Sequence, residues 1–221
     1  MANNEVTARL WQAILDTLFP PRCVGCGVRG EWLCPGCIER APRAPAPVSR
    51  PGPALAAIVS VYAFEGAVRA ATHRLKYRRG RHLAPTLASL LDASYAELEP
   101  LLPAPPDAIV PVPLHPRRVA QRGYNQSSLL ATRMRLAVSI PVLPAALTRT
   151  RDTPAQTHLT APQRRANVAG AFVADARLVA GKRVLLVDDV TTTGATMLAC
   201  AEALNTAGAT SVAAVTVARA I

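Results

Sequence analysis

At 221 residues the chain has room for one sizeable core and a small appendage. Half of its residues are apolar but only 4% are aromatic, so Ala, Val and Leu must fill that core, and no run of eighteen apolar residues offers a membrane span. Basic residues outnumber acidic ones by 25 to 14, a net charge of +11, and all but two of the 25 are arginine. Such a surplus draws a protein to polyanions, either nucleic acid or phosphorylated small molecules, although a genome biased toward Ala, Pro and Arg would leave the same mark.

Residues 5–19 place Val6, Leu10, Ile14 and Leu18 four apart, with Trp11 and Leu15 alongside. That is the spacing of a short amphipathic helix, and its polar face is not basic enough to favour a membrane surface. Glu5 and Asp16 break the layout of a secretory leader, so the expected compartment is the cytosol. Cys23-x-x-Cys26 and Cys34-x-x-Cys37 follow, two knuckles seven residues apart, each with a glycine that permits a tight turn. Four thiolates gathered without a metal would repel one another, whereas zinc resolves that repulsion and supplies folding energy where no core exists. Disulfides suit secreted chains, and a thioredoxin-like redox pair explains one motif but not two. The expectation is a compact structural zinc ribbon held by Cys23, Cys26, Cys34 and Cys37, with Cys200 a buried apolar residue.

Residues 41–54 carry five prolines in fourteen positions and read as a semi-rigid linker. The expected domains are therefore 1–40 (helix and ribbon), 41–54 (linker) and 55–221 (an α/β unit). Within the last, residues 57–64 read as a strand, 66–77 as a helix with Arg69, His73, Arg74 and Lys76 outward, and 82–98 as a second helix. Residues 108–113 read as a short strand that Pro111 and Pro113 bar from a full ladder, so its end lies at an edge or faces a cavity. Arg117, Arg118 and Arg122 surround Gly123, and Asn125 opens an apolar-periodic helix. Residues 142–147 are a further strand candidate. The stretch 149–169 is long, polar and without period, the pattern of a lid or of disorder, and its Arg149, Arg151, Arg164 and Arg165 favour a lid over an anion. His82, His115 and His158 are scattered, and none reads as a metal ligand. Strands at 171–174 and 211–218 complete a doubly wound, mostly parallel sheet with helices on both faces, in which a ligand binds at the carboxyl ends of the strands.

The stretch around which this is organised is RVLLVDDVTTTGATM, residues 183–197. A buried strand, Val184–Val187, ends in Asp188 and Asp189; Thr191, Thr192, Thr193, Gly194, Ala195 and Thr196 then open a helix. Hydroxyls and the free N–H groups of a helix N-terminus suit a phosphate, and Gly194 lets the backbone approach it closely. Paired carboxylates suit sugar hydroxyls or a magnesium ion that also holds diphosphate oxygens. Together they describe a site for a phosphorylated ribose. A Walker loop would need a lysine here, a dinucleotide fingerprint more glycines, and a receiver domain a longer continuation than 32 residues.

The string resembles the phosphoribosyl diphosphate (PRPP) signature of the type I phosphoribosyltransferases. LKYRRGRHLA, IVPVPLHPRRVAQRGYNQSSLLA, LTRTRDTPAQTHLTAPQRRANVAGAF and the four-cysteine ribbon extend the resemblance, in the same order, to the ComF (competence protein F, GntX-like) family, over nearly all of the chain after residue 22. The resemblance implies that Asp188 and Asp189 hold the ribose hydroxyls and that residues 192–196 hold the 5′-phosphate. It implies that Pro113, Leu114 and His115 form the diphosphate turn, with Lys76 and Arg122 as basic contacts. Residues 151–167, with Arg151 and Arg164, take the place of the flexible catalytic loop. The implied cofactors are Zn2+ and Mg2+; the implied partners are PRPP or a phosphorylated ribose, single-stranded DNA, and DNA-uptake or replication-restart proteins. Pentosyl transfer and a non-catalytic nucleotide-sensing or DNA-binding role both fit that pattern.

Overall fold

The computed structural model describes residues 20–152 and 161–220; the side chains of Arg78, Arg79, Ala161, Pro162, Arg164 and Arg165 also fall outside the description. The amphipathic stretch 5–19 therefore lies outside the described residues.

The main sheet contains β1 (Val48–Ser49), β2 (Ile58–Val59), β3 (Tyr62–Ala63), β4 (Ala108–Pro111), β7 (Arg183–Thr191) and β8 (Ser211–Arg219). Its order is β1-β2-β8-β7-β4, with β3 pairing the far end of β8. All pairs are parallel except β1 with β2. The C-terminal strand β8 lies at the centre of the sheet rather than at its margin. Seven consecutive residues of β8 are buried, the mark of a strand covered on both faces. β4 is at the edge, where Pro111 needs no ladder partner for the N–H it lacks.

Helices cover both faces. On one, α2 (Gly66–Leu75), α3 (Ala84–Leu98) and α5 (Gln126–Ala131) bury Val68, Leu75, Leu87, Leu91 and Leu130 against Ile109, Leu185 and Val215. On the other, α8 (Ala195–Thr206) buries Met197, Cys200, Ala201 and Leu204 against Val110, Leu186 and Val212. The remaining helices are α1 (Pro35–Glu39), α4 (Pro116–Arg122), α6 (Ala161–Val168) and α7 (Ala176–Val179); β5 (Leu147–Arg149) and β6 (Phe172–Ala174) form a separate antiparallel pair.

Several local expectations shift. The strand expected at 57–64 breaks between β2 and β3. Its middle is bonded sideways: Ser60 N donates to Pro47 O, Ala44 N to Val61 O, and Val61 N to Ser94 Oγ at 3.2 Å. Those partners show that residues 41–54 do not hang free as a linker. They run along the sheet edge, with Ala41 and Ala44 buried and Val48–Ser49 paired to β2. Prolines suit this strap because it makes only scattered hydrogen bonds. The helix expected from His82 begins at Ala84, after a 3-10 turn over Arg78–Leu83, and its early Pro85 needs no hydrogen-bond partner there. The strand expected at 142–147 moves to Leu147–Arg149, because Pro144 opens a 3-10 turn and leaves Val142 with one bridge to Ile109. Part of the periodless stretch 149–169 is helical, α6, anchored by the buried Val168.

Candidate functional site

β7 runs two residues beyond its acids. Asp188 and Asp189 lie inside the strand, and Thr191 is its last, buried residue rather than part of the following turn. Asp188 meets Ser127 of α5 and Asp189 meets Lys76 at the end of α2, two helices on one face of the sheet. Asp188 Oδ1 accepts a 2.6 Å hydrogen bond from Ser127 Oγ and a 2.9 Å bond from Asp189 N. Burial, followed by the neighbouring Asp189 charge, pushes the Asp188 carboxyl up to about 8 despite those bonds. Asp189 is 5% exposed; its Oδ1 accepts from Val190 N at 2.9 Å, while its buried Oδ2 has no hydrogen bond. The nearest cation to Oδ2 is the Lys76 ammonium at 3.6 Å, close enough to attract but too far to donate.

The turn after β7 leaves Thr192 half-buried and Thr193 exposed, and α8 starts at Ala195. Gly194 caps that helix at φ 78°, a left-handed conformation that favours glycine. A Cβ there would meet Ile58 Cδ1 at 2.8 Å and Pro51 Cγ at 3.2 Å. The glycine thus serves its backbone angle and its packing against Ile58 of β2 and Pro51 of the 41–54 strap. Thr192 and Thr193 stand beside the N-terminus of a twelve-residue helix, an arrangement that suits an anion.

The turn Pro113–Leu114–His115 follows β4 next to β7, with Val112 N bonded to Val187 O at 2.9 Å. His115 caps α4, its Nδ1 accepting from Arg117 N at 3.3 Å. Arg122, at the end of α4, donates to Gln126 Oε1. Arg151 donates to the carbonyls of Asn167 and Ala169 at 3.1 and 3.0 Å, so it closes the loop base instead of facing the acids. Arg117 and Arg118 reach Asp152 at 3.8 and 3.5 Å, tying the start of that loop to α4. The backbone of Arg164 lies in α6, and its side chain is outside the described set. The strand ends, the threonine turn, the Pro113 turn and Lys76 come together at the carboxyl edge of the sheet; Arg122 and Arg151 are committed to internal partners.

Sequence reasoning gave Asn125 only a helix start and passed over Tyr124 and Arg81, which help hold this edge together. Asn125 caps α5 through Ser127 N at 3.0 Å, and its Nδ2 donates to Val112 O at 3.0 Å. The Tyr124 hydroxyl donates between the carbonyls of Leu75 and Tyr77, the latter at 3.0 Å, on either side of Lys76. Arg81 lies 4.4 Å over the Tyr124 ring and donates to Gly123 O at 3.0 Å. The signal was present as the string RGYNQS, polar residues heading a helix with more capping capacity than one helix start requires.

The four expected metal ligands meet. The Sγ atoms of Cys23, Cys26, Cys34 and Cys37 all lie within 4.8 Å of one another, and those of Cys26 and Cys34 are 3.6 Å apart. A tetrahedral zinc with Zn–S bonds of about 2.3 Å sets S···S at roughly 3.8 Å. Cys23 Sγ also accepts from Gly25 N and Cys34 N, each at 3.4 Å, which favours a thiolate. A set of this kind holds a structural metal such as zinc. The ribbon is packed on the larger unit: a Cβ on Gly25 would come within 2.7 Å of Ala67 Cβ on α2, and Trp32 stacks on His82 at 3.5 Å.

A family model described as the phosphoribosyl transferase domain matches residues 119–221. The DNA utilization protein YhgH of Salmonella typhi is 36% identical over 185 residues, which cover 81% of each chain. The protein of that name from Escherichia coli (strain K12) is 34% identical over 199 residues, 89% of this chain and 82% of its own. Competence protein F of Haemophilus influenzae is 42% identical over 94 residues, 42% of this chain and 41% of its own. Among solved structures, the glutamine PRPP amidotransferase from B. subtilis complexed with ADP and GMP is 21% identical, with a TM-score of 0.44 over 66% of this chain and 30% of that one.

Proposed function

The chain belongs to the ComF (competence protein F) family, and from that premise we propose that it binds PRPP or a related 5-phosphorylated ribose at the carboxyl edge of the sheet. The observation that carries the reading is the buried Asp189 Oδ2, an acceptor without a hydrogen bond, beside Asp188 and one turn before the N-terminus of α8. Asp188 and Asp189 take the ribose hydroxyls, and Thr192, Thr193 and Thr196 with the first N–H groups of α8 take the 5′-phosphate. The Pro113–His115 turn and Lys76 meet the diphosphate. Two carboxylates with a free buried oxygen also fit Mg2+, which when bound neutralises charge on the diphosphate oxygens.

The chemistry open to such a site is displacement at ribose C1. The C1–O bond to the diphosphate breaks, pyrophosphate leaves, and an acceptor nitrogen bonds to C1 and gives up its proton. The protein's part is to orient the ribose, offset leaving-group charge with Lys76, and exclude water through residues 151–167. No covalent nucleophile is required. Calorimetric titration with PRPP and Mg2+ tests the reading: it predicts saturable one-to-one uptake, lost in Asp189→Asn. No heat with PRPP, or unchanged uptake by that variant, would refute it.

A second reading takes up the names of the relatives, DNA utilization and competence. It assigns a cytoplasmic role with single-stranded DNA and with DNA-uptake or replication-restart proteins. Its support is the exposed face of α2, where Arg69, His73 and Arg74 adjoin Tyr77, 60% exposed and 5.6 Å from the His73 ring. Stacking and charge on one face suit single strands. Oligonucleotide affinity should then fall steeply with salt; affinity that is absent or insensitive to salt rules this reading out. Among the described residues no helix is long and apolar enough to cross a membrane.

A further inference from the structure

Lys76 is the C-terminal cap of α2, and its side chain, 35% exposed, crosses to β7, where its ammonium stands 3.6 Å from Asp189 Oδ2. That oxygen is buried and receives no hydrogen bond. A buried carboxylate oxygen needs a cation or a donor, and a partner at 3.6 Å satisfies its charge but not its lone pairs. Lys76 is therefore a partial occupant, attracted without being seated. Its own backbone is fixed more firmly than its side chain. The carbonyls on either side of it, Leu75 O and Tyr77 O, both accept from Tyr124, whose ring is covered by Arg81. The lysine side chain thus reaches the acids from a held root.

We propose that Lys76 is an exchangeable internal counter-ion: it rests on Asp189 when the site is free and passes to the anionic groups of a phosphorylated ligand when hydroxyls or a divalent cation claim Asp189, with Tyr124 as its positioning residue. This rests on the reading of the site as one for a phosphorylated ribose and adds how the site manages its charge. An uncompensated Asp189 carboxylate in the empty pocket would repel the phosphates of its ligand. A lysine parked there lowers that repulsion, and the same ammonium then stabilises the diphosphate without any hinge motion of α2. Tyr124 limits the sweep so that both resting places lie within reach of one side chain.

Exchange makes opposite demands that a merely structural lysine would not. In Lys76→Met, Mn2+ alone, followed by electron paramagnetic resonance, should bind about threefold to fivefold more tightly than in the wild type, since no ammonium has to be displaced from a half-exposed pair. PRPP with Mg2+, followed by calorimetry, should bind tenfold or more weakly, the loss expected for a charge-assisted contact. Tyr124→Phe should weaken PRPP binding in the wild-type background and add nothing when Lys76 is already Met. If Lys76→Met weakens both ligands, leaves either unchanged, or adds fully to Tyr124→Phe, the exchange is wrong while the site assignment stands. A wild-type protein that takes up neither Mn2+ nor PRPP would overturn the site assignment and the exchange together. Lys76→Gln, closer in shape, guards against a loss that comes only from packing.

Discussion

Replacing Asp188 by Asn should make the ligand-free protein more stable, and increasingly so as pH rises. In the fold its carboxyl is pushed up to about 8 by burial and by Asp189, against 3.8 for an ordinary aspartate. The folded state thus keeps a proton that the unfolded chain releases above 3.8. The unfolded state binds fewer protons across that window, so stability falls as pH rises from about 4 to about 8 and levels off beyond. At about 1.4 kcal/mol per pH unit the whole gap would be roughly 6 kcal/mol. Asp188 retains some contact with water, and screening there leaves about 2–3 kcal/mol. Asn keeps an oxygen to accept from Ser127 and carries no charge at any pH. Urea unfolding of both proteins between pH 4.5 and 8.5 should give a stability difference near zero at the acid end, growing to about 2–3 kcal/mol in favour of the variant at pH 8. A difference that is flat, or that shrinks with rising pH, would refute the reasoning. The gain would mark the acid pair as held against its own stability for the sake of a ligand.

Ser127→Ala removes the 2.6 Å bond to Asp188; PRPP affinity should fall by about fivefold, the worth of one ordinary hydrogen bond, with a far smaller change in unfolding midpoint. Equal ligand affinity in calorimetry would free Ser127 of a positioning role. Gly194→Ala forces a side chain onto φ 78° and within 2.8 Å of Ile58 Cδ1; a loss of about 2–3 kcal/mol is expected in denaturant unfolding, partly restored by Ile58→Val. If Ile58→Val restores nothing, the clash is not the cause. Elemental analysis should find one zinc per chain, and Cys26→Ser should lose it and lower the melting temperature, because Cys23, Leu33 and Cys37 belong to the core that contains Leu75 and Leu83. A metal-free protein with an unchanged melting temperature would remove the metal from the account.

The sheet was legible because its strands announce themselves. The continuous apolar run at 184–187 and the largely apolar stretch 211–218 signal burial on both faces, and prolines at 111 and 113 signal an edge or a cavity. The four cysteines were legible for the same local reason, as two short-range spacings that leave few geometries open. What was misread involved partners distant in sequence. The 41–54 stretch reads as a linker by composition, yet it is a strap, because residues 60–63 offer it backbone groups and Gly194 offers it a surface. Arg151 reads as an anion contact but is occupied by carbonyls sixteen and eighteen residues away.

By itself the sequence determined which chemical groups the site contains and where along the chain they fall, since a strand, two acids and a hydroxyl turn are local features. Only the tertiary structure decided which charges remain available to a ligand. Ser127 on Asp188, Lys76 on Asp189 and Gln126 on Arg122 are pairings set by how α2, α4, α5 and β7 meet. Electrostatic partnership depends on distance in space and on exclusion of water, and neither is written in the order of residues.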